Sequence, residues 1–133
     1  METTGRRPRI GRATQWYAVL VTAFMVIRAG TTFVAGASFG LPGDGWRSVF
    51  QLAIAAVLIC GLVLGRTAPA ALIVGAAYGV STVLEAFHST DLLGVIPVDM
   101  RDRYVHPALA VAAFACLLAE RWMRTPRQSY DVT

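Results

Sequence analysis

The sequence predicts an all-α integral membrane protein whose four transmembrane helices form two parallel helical-hairpin repeats. Three observations predict this fold. The 133 residues are 56% hydrophobic and only 15% charged, whereas a soluble domain is about 25% charged. The charged residues concentrate in the two ends of the chain and in three short connections. The four stretches between them are each long enough to cross a bilayer, which takes about 20 residues.

The first part of the chain is predicted to be a polar cytoplasmic tail, residues 1–15, followed by a first span at residues 16–39. Trp16 and Tyr17 stand where an interfacial aromatic belt is expected. The span is longer than a straight crossing needs, so we expect it to tilt. Its end, Gly36–Gly40, places small residues four apart, a spacing that permits close contact between helices.

Glycine and proline turns separate the remaining elements. The further predicted spans are residues 46–64, 68–88 and 104–123, and a second polar cytoplasmic tail follows at residues 124–133. The pairs Gly61/Gly65 and Gly75/Gly79 repeat the small-residue spacing. Such faces predict close helix packing and favour a homo-oligomer or a larger membrane complex.

The distribution of arginine predicts the orientation of the chain. With both termini inside, the arginines on the cytoplasmic side are Arg6, Arg7, Arg9, Arg12, Arg66, Arg121, Arg124 and Arg127. The outer side holds Arg47, Arg101 and Arg103. The positive-inside rule therefore predicts cytoplasmic termini in a plasma (inner) membrane. The arginines behind the net charge of +4 flank apolar segments, where they orient helices in a membrane. No nucleic-acid partner is therefore expected.

The two halves of the chain resemble each other. At an offset of 55 residues, Asp44 aligns with Asp99 and Gln51 with His106. Since each half is a hairpin with two spans, the repeat is predicted to be parallel, with its axis along the membrane normal.

Two charges, Arg28 and Glu85, stand out within the predicted spans. A lone charge at the bilayer centre costs about 2.5–3.5 kcal/mol on insertion scales. At an offset of 54 residues the repeat places Glu85 opposite Thr31, one helical turn from Arg28, which predicts a buried Arg28–Glu85 ion pair. Two interpretations stay open: a structural bridge, or a proton relay, ion relay or polar-headgroup site.

Both histidines lie near the predicted outer face. Glu85 and His88 are three residues apart and share one helix face, and His106 can add a third ligand. A zinc or iron site of Glu85, His88 and His106 is one alternative, and axial haem ligation by His88 and His106 is another. The favoured interpretation needs no metal or cofactor: the histidines bond to Asp99 and Asp102. Asp102 is also expected to cap the fourth helix. The expected polar cluster is His88, His106, Gln51, Asp99 and Asp102.

The segment 92–99, followed by 102–106 at the start of an alanine-rich helix, resembles a known family. This family comprises small four-span bacterial proteins, common in actinobacteria and known only as a domain of unknown function. The resemblance covers most of residues 16–122 and implies two hairpin repeats, each with a histidine at the start of its second helix. His106 fits the second repeat, whereas Gln51 departs from the pattern in the first. The resemblance implies a fold and no activity.

The expected function is that of a non-enzymatic structural or accessory component of the lipid bilayer. The chain contains no nucleophile elbow, phosphate-binding loop or dinucleotide fingerprint. The alternative is a small transporter or a haem- or metal-binding redox protein. That alternative would use Arg28, Glu85, His88 and His106.

Overall fold

The computed structural model describes residues 13–88 and 90–124. Within them the chain forms the helices α1 (Ala13–Ala35), α2 (Asp44–Val63), α3 (Thr67–Phe87) and α4 (Asp102–Arg124), and the antiparallel strands β1 (Asp91–Leu92) and β2 (Ile96–Pro97). All four helices are long and apolar enough to cross a membrane. The predicted all-helical class with four candidate spans is therefore confirmed, while the short β-hairpin between α3 and α4 was not predicted.

The ends of α1 and α4 differ from the predicted domain limits. The polar tails lie mostly outside the described residues, but their described parts, residues 13–15 and 124, are helical. At its other end α1 stops at Ala35, before the predicted limit. Gly36 has φ +94 and ends the helix in the left-handed conformation that glycine adopts readily. The small residues from Gly36 to Gly40 therefore lie in a connection and cannot form a helix-packing face.

The helices pack as two hairpins, α1 with α2 and α3 with α4, around a common apolar core. Two glycines allow close approach within this bundle. A Cβ on Gly61 would lie 2.5 Å from Ala70 Cβ, and one on Gly75 would lie 2.9 Å from Ala113 Cβ. Gly61 and Gly75 are thus used for close packing inside one chain.

The bundle has two distinct ends, which we call the terminal end and the loop end. At the terminal end α1 and α3 begin and α4 finishes, and Thr14 Oγ1 of α1 lies 2.7 Å from Thr67 Oγ1 of α3. At the loop end lie the two long connections, residues 36–43 and 88–101. They are joined by a hydrogen bond of 3.0 Å from Gly43 N to Val95 O.

Candidate functional site

Asp102 is the centre of an ion-pair network at the loop end. Its side chain is 1% exposed, and its two carboxylate oxygens face two different arginines. Oδ1 lies 3.5 Å from Arg28 Nη1, and Oδ2 lies 3.3 Å from Arg47 Nη1. Arg47 also donates to Asp99 Oδ2 at 2.6 Å. One carboxylate therefore ties α1 and α2 to α4.

The start of α4 places Asp102 at this position. The carbonyl of Asp99 accepts hydrogen bonds from the backbone N–H groups of Asp102 and Arg103, at 3.0 and 3.4 Å. In return Asp102 Oδ2 accepts from Asp99 N at 3.1 Å. The bond from Asp99 N to the side chain three residues later is one of the two hydrogen bonds of a capping box, while the Asp99 side chain bonds to Arg47 instead. The expectation that Asp102 itself is the cap was wrong, although Asp102 does stabilise the helix start.

Glu85 and His106 form a second buried pair at the loop end. Glu85 is 6% exposed and His106 is 8% exposed, and His106 Nδ1 shares a hydrogen bond with Glu85 Oε1. The ring of Tyr78 lies against the imidazole, with 5.1 Å between the ring centroids. This pair joins α3 to α4, the two helices of the second hairpin.

The prediction that Arg28 and Glu85 form an ion pair with each other is therefore wrong. Both residues are paired, but Arg28 bonds to Asp102 and Glu85 bonds to His106. The physical reason is that α3 packs much more extensively on α4 than on α1. The buried face near the end of α3 is consequently directed at α4, and α1 meets the beginning of α4 from another side.

His88 does not join Glu85 and His106. It is exposed and follows the last residue of α3, with extended backbone angles of φ −121 and ψ 105. The helical spacing that would place Glu85 and His88 on one face is thus interrupted. In residues 13–88 and 90–124 no three His, Cys, Asp or Glu side chains are grouped as metal ligands. The zinc or iron candidate of Glu85, His88 and His106 is therefore not assembled among the described residues, and of the haem pair His88 is exposed whereas His106 is buried.

The other members of the expected polar cluster are only partly brought together. Asp99 and Asp102 meet through Arg47, as described above. Gln51 is 5% exposed in the interior of α2. The expected bonds from the histidines to Asp99 and Asp102 are replaced, for His106, by the bond to Glu85. We call the set Arg28, Arg47, Glu85, Asp99, Asp102 and His106 the loop-end cluster.

A cluster at the opposite end was missed by the sequence analysis. Glu120 is 5% exposed, and its Oε1 accepts hydrogen bonds from Thr14 N, at 3.0 Å, and from Thr14 Oγ1. Thr67 extends this contact to α3, and Arg124 Nη2 lies 3.8 Å from Glu120 Oε2. We call Thr14, Thr67, Glu120 and Arg124 the terminal-end cluster. The available signal was that Glu120 falls inside the predicted span 104–123.

An apolar layer separates the two clusters. It contains side chains from all four helices that are 0% exposed, namely Ala18, Leu58, Val74 and Ala113. Polar groups beside this layer are bonded locally: Tyr17 Oη donates to Leu109 O at 3.0 Å, and Tyr78 Oη to Met25 Sδ at 3.3 Å. Within the described residues, Thr22 Oγ1 is the one fully buried side-chain oxygen or nitrogen that lacks a partner. Across residues 13–88 and 90–124, the polar groups therefore do not form a continuous chain from end to end.

Comparisons with protein-family models, with curated proteins and with solved structures found no match to this chain. The family resemblance carried by residues 92–106 consequently stays a prediction. Function is inferred below from the geometry of the chain's own side chains.

Proposed function

We propose that the chain is a multi-pass membrane protein with a non-enzymatic, structural or accessory role in its membrane. The observation that carries this proposal is that the buried charges of the described helices are bonded to side chains of neighbouring helices. Asp102 is bonded to arginines of α1 and α2, Glu85 to His106, and Glu120 to Thr14. Because each charge is used to join helices, it favours assembly of the bundle over chemistry on a substrate.

The proposed orientation places the loop end outside the cell and the terminal end in the cytoplasm of a plasma membrane. The arginine distribution supports it. The orientation can be tested in intact cells with variants that lack Cys60 and Cys116 and carry one introduced cysteine each. A membrane-impermeant maleimide should label Thr90→Cys at the loop end and leave Leu64→Cys at the terminal end unlabelled. The reverse labelling would overturn the orientation.

Association with a second copy or with a larger membrane complex is part of the proposal. Gly30 and Gly79 support it, because both lie on helices and a Cβ at either position would meet no atom within 4 Å. Their open surfaces allow another helix to approach closely. Light scattering of the purified protein in detergent should give a mass above that of one 14.3 kDa chain. A monomer mass would contradict the homo-oligomer.

A small transporter is the second candidate function. It is favoured by one observation: the loop-end cluster gathers ionisable side chains from all four helices within the spanning region. Such groups mark proton or ion pathways in many membrane proteins. The apolar layer of Leu58, Val74 and their neighbours opposes this function, since it interrupts any path to the terminal end. The haem or metal redox alternative has less support, because His88 is exposed whereas His106 is buried and bonded to Glu85.

Proton flux into proteoliposomes distinguishes these candidates. For a structural component, vesicles containing the purified protein should acidify no faster than protein-free vesicles, measured with a trapped pH-sensitive dye and valinomycin. Glu85→Gln should lower the melting temperature in detergent, because the substitution alters the buried hydrogen bond between Glu85 and His106. Flux that Glu85→Gln abolishes at an unchanged melting temperature would instead establish the transporter. A haem absorbance band or bound metal in the purified protein would establish the redox alternative.

A further inference from the structure

A groove of ≈ 650 Å³ lies at the loop end between α1 and α4, and Arg28 of the ion-pair network is one of its lining residues. Its lining combines aromatic, hydroxyl and basic side chains: Phe24, Arg28, Thr31, Thr32, Arg101 and Tyr104. Two of these are arginines, and no lining residue is acidic. The groove is therefore an amphipathic surface whose charged lining side chains are both cationic. Phe24 is 39% exposed and Tyr104 is 75% exposed, so the groove is open to the surroundings of the bundle.

The two arginines differ in how far their charges are compensated. Arg28 is a quarter exposed, and its contact with Asp102 is long at 3.5 Å, while Asp102 is also shared with Arg47. Arg101 is exposed and has no ion-pair partner among the described residues. Guanidinium groups bind phosphate through paired N–H donors. The groove thus offers two such groups with capacity left for an anion.

The polarity of the groove changes with depth. Arg101 precedes the first residue of α4, and Tyr104, 75% exposed, lies in its first turn. Tyrosine at this level is typical of the membrane interface. Phe24 lies one helical turn before Arg28 and packs on the Arg28 guanidinium at 5.7 Å. Because Arg28 contacts Asp102, the residue after Arg101, both arginines lie near the start of α4, and the aromatic, apolar surface of Phe24 lies farther toward the terminal end.

We propose that this groove binds the phosphate of an anionic phospholipid from the leaflet at the loop end, with an acyl chain along Phe24. Arg101 and Arg28 hold the phosphate oxygens. The occupant is a lipid and not a soluble anion, because the apolar end of the groove matches a hydrocarbon chain and opens toward the bilayer. This inference depends on the four helices lying in a membrane but not on the proposed accessory role.

The test is a lipid titration of the purified full-length protein in non-ionic detergent, followed by native mass spectrometry. Phosphatidylglycerol is compared with phosphatidylcholine of the same acyl chains and with inorganic phosphate. We expect a one-to-one adduct that prefers phosphatidylglycerol, with no competition from inorganic phosphate. Arg101→Gln should weaken the phosphatidylglycerol adduct about tenfold, the loss expected for one charge-assisted hydrogen bond.

Arg66→Gln is the matched control, because it removes the same charge from an exposed position at the terminal end. It should leave the lipid preference unchanged. Arg101→Gln is expected to fold, since Tyr104 N and Val105 N bond to the backbone oxygen of Arg101 and not to its side chain. Arg101→Lys, which keeps the charge, should retain most of the preference.

Four results would overturn the proposal: equal binding of the two lipids, an unchanged preference in Arg101→Gln, an equal loss in Arg66→Gln, or displacement by inorganic phosphate. Displacement would show that the groove recognises a soluble anion. None of these results depends on proton flux. A failure of the lipid site can therefore be told apart from a failure of the proposed function.

Discussion

The two ends of the bundle bury polar groups in different ways. The loop-end cluster contains charges of both signs on different helices, with Asp102 between Arg28 and Arg47. The terminal-end cluster contains one buried carboxylate, Glu120, which is satisfied mainly by neutral donors of Thr14. The loop end therefore depends on charge complementarity, whereas the terminal end depends on hydrogen-bond donors.

This difference determines which buried groups lose their partner when a side chain is substituted. Removing one charge from a buried ion pair leaves its partner uncompensated, which costs far more than the pair contributed. Removing the charge of a carboxylate that accepts from neutral groups leaves only neutral donors, which an amide oxygen can still satisfy. We therefore expect neutralising substitutions to destabilise the loop end more than the terminal end.

The largest effect is expected for Asp102→Asn. The amide keeps the shape of the side chain and an oxygen for Asp99 N, but Arg28 and Arg47 lose their shared counter-charge. Breaking a buried pair costs 3–5 kcal/mol, and we expect about 3 kcal/mol here because Arg28 is partly exposed. The measurement is the free energy of unfolding in mixed detergent micelles.

Asp99→Asn is the control for this prediction. It neutralises the other carboxylate on Arg47, but its side chain is 59% exposed. An exposed ion pair contributes less than about 1 kcal/mol. Equal losses from Asp99→Asn and Asp102→Asn would show that burial does not set the energetics of the loop end.

An intermediate effect is expected for the Glu85–His106 pair, measured as a double-mutant cycle. Glu85→Gln and His106→Gln should each destabilise the protein, and the double variant should lose less than the sum of the two. We expect a coupling of about 1–2 kcal/mol, within the range for buried residues in direct contact. Glu85→Gln with Glu120→Gln is the control cycle, because these sites lie at opposite ends and should be additive. No coupling between Glu85 and His106 would contradict the observed contact.

Much of the fold follows from local sequence patterns. Long apolar stretches bounded by arginine, glycine and proline predicted four spans, and each overlaps one of the helices α1 to α4. The limits shifted by a few residues because helix ends depend on backbone conformation. Gly36 ends α1 early, and Leu93 and Gly94 both take positive φ between β1 and β2. A positive φ is predictable from the sequence at the glycines but not at Leu93.

The partners within the clusters were much harder to predict. The sequence shows that Arg28 and Glu85 need partners, but the rotation of each helix decides which partners they meet. That rotation depends on packing over the whole bundle. In the structure it brings Arg28 to Asp102 and Glu85 to His106. Glu120 was overlooked because it adjoins Arg121 in a basic segment typical of a cytoplasmic flank. Its hydrogen bonds to Thr14 require α1 and α4 to meet, which local patterns do not show.

The smallest effect is expected for Glu120→Gln at the terminal end. The Gln oxygen can still accept from Thr14 N and Thr14 Oγ1, while the contact given up is the long one of 3.8 Å to the exposed Arg124. We expect less than about 1 kcal/mol in the same unfolding measurement, since an exposed ion pair contributes little. Glu120→Ala removes the acceptor altogether and should cost about 1–3 kcal/mol, because the buried donors of Thr14 are left unpaired. If Glu120→Gln were as harmful as Asp102→Asn, the terminal end would also depend on charge, and the contrast between the two ends would disappear.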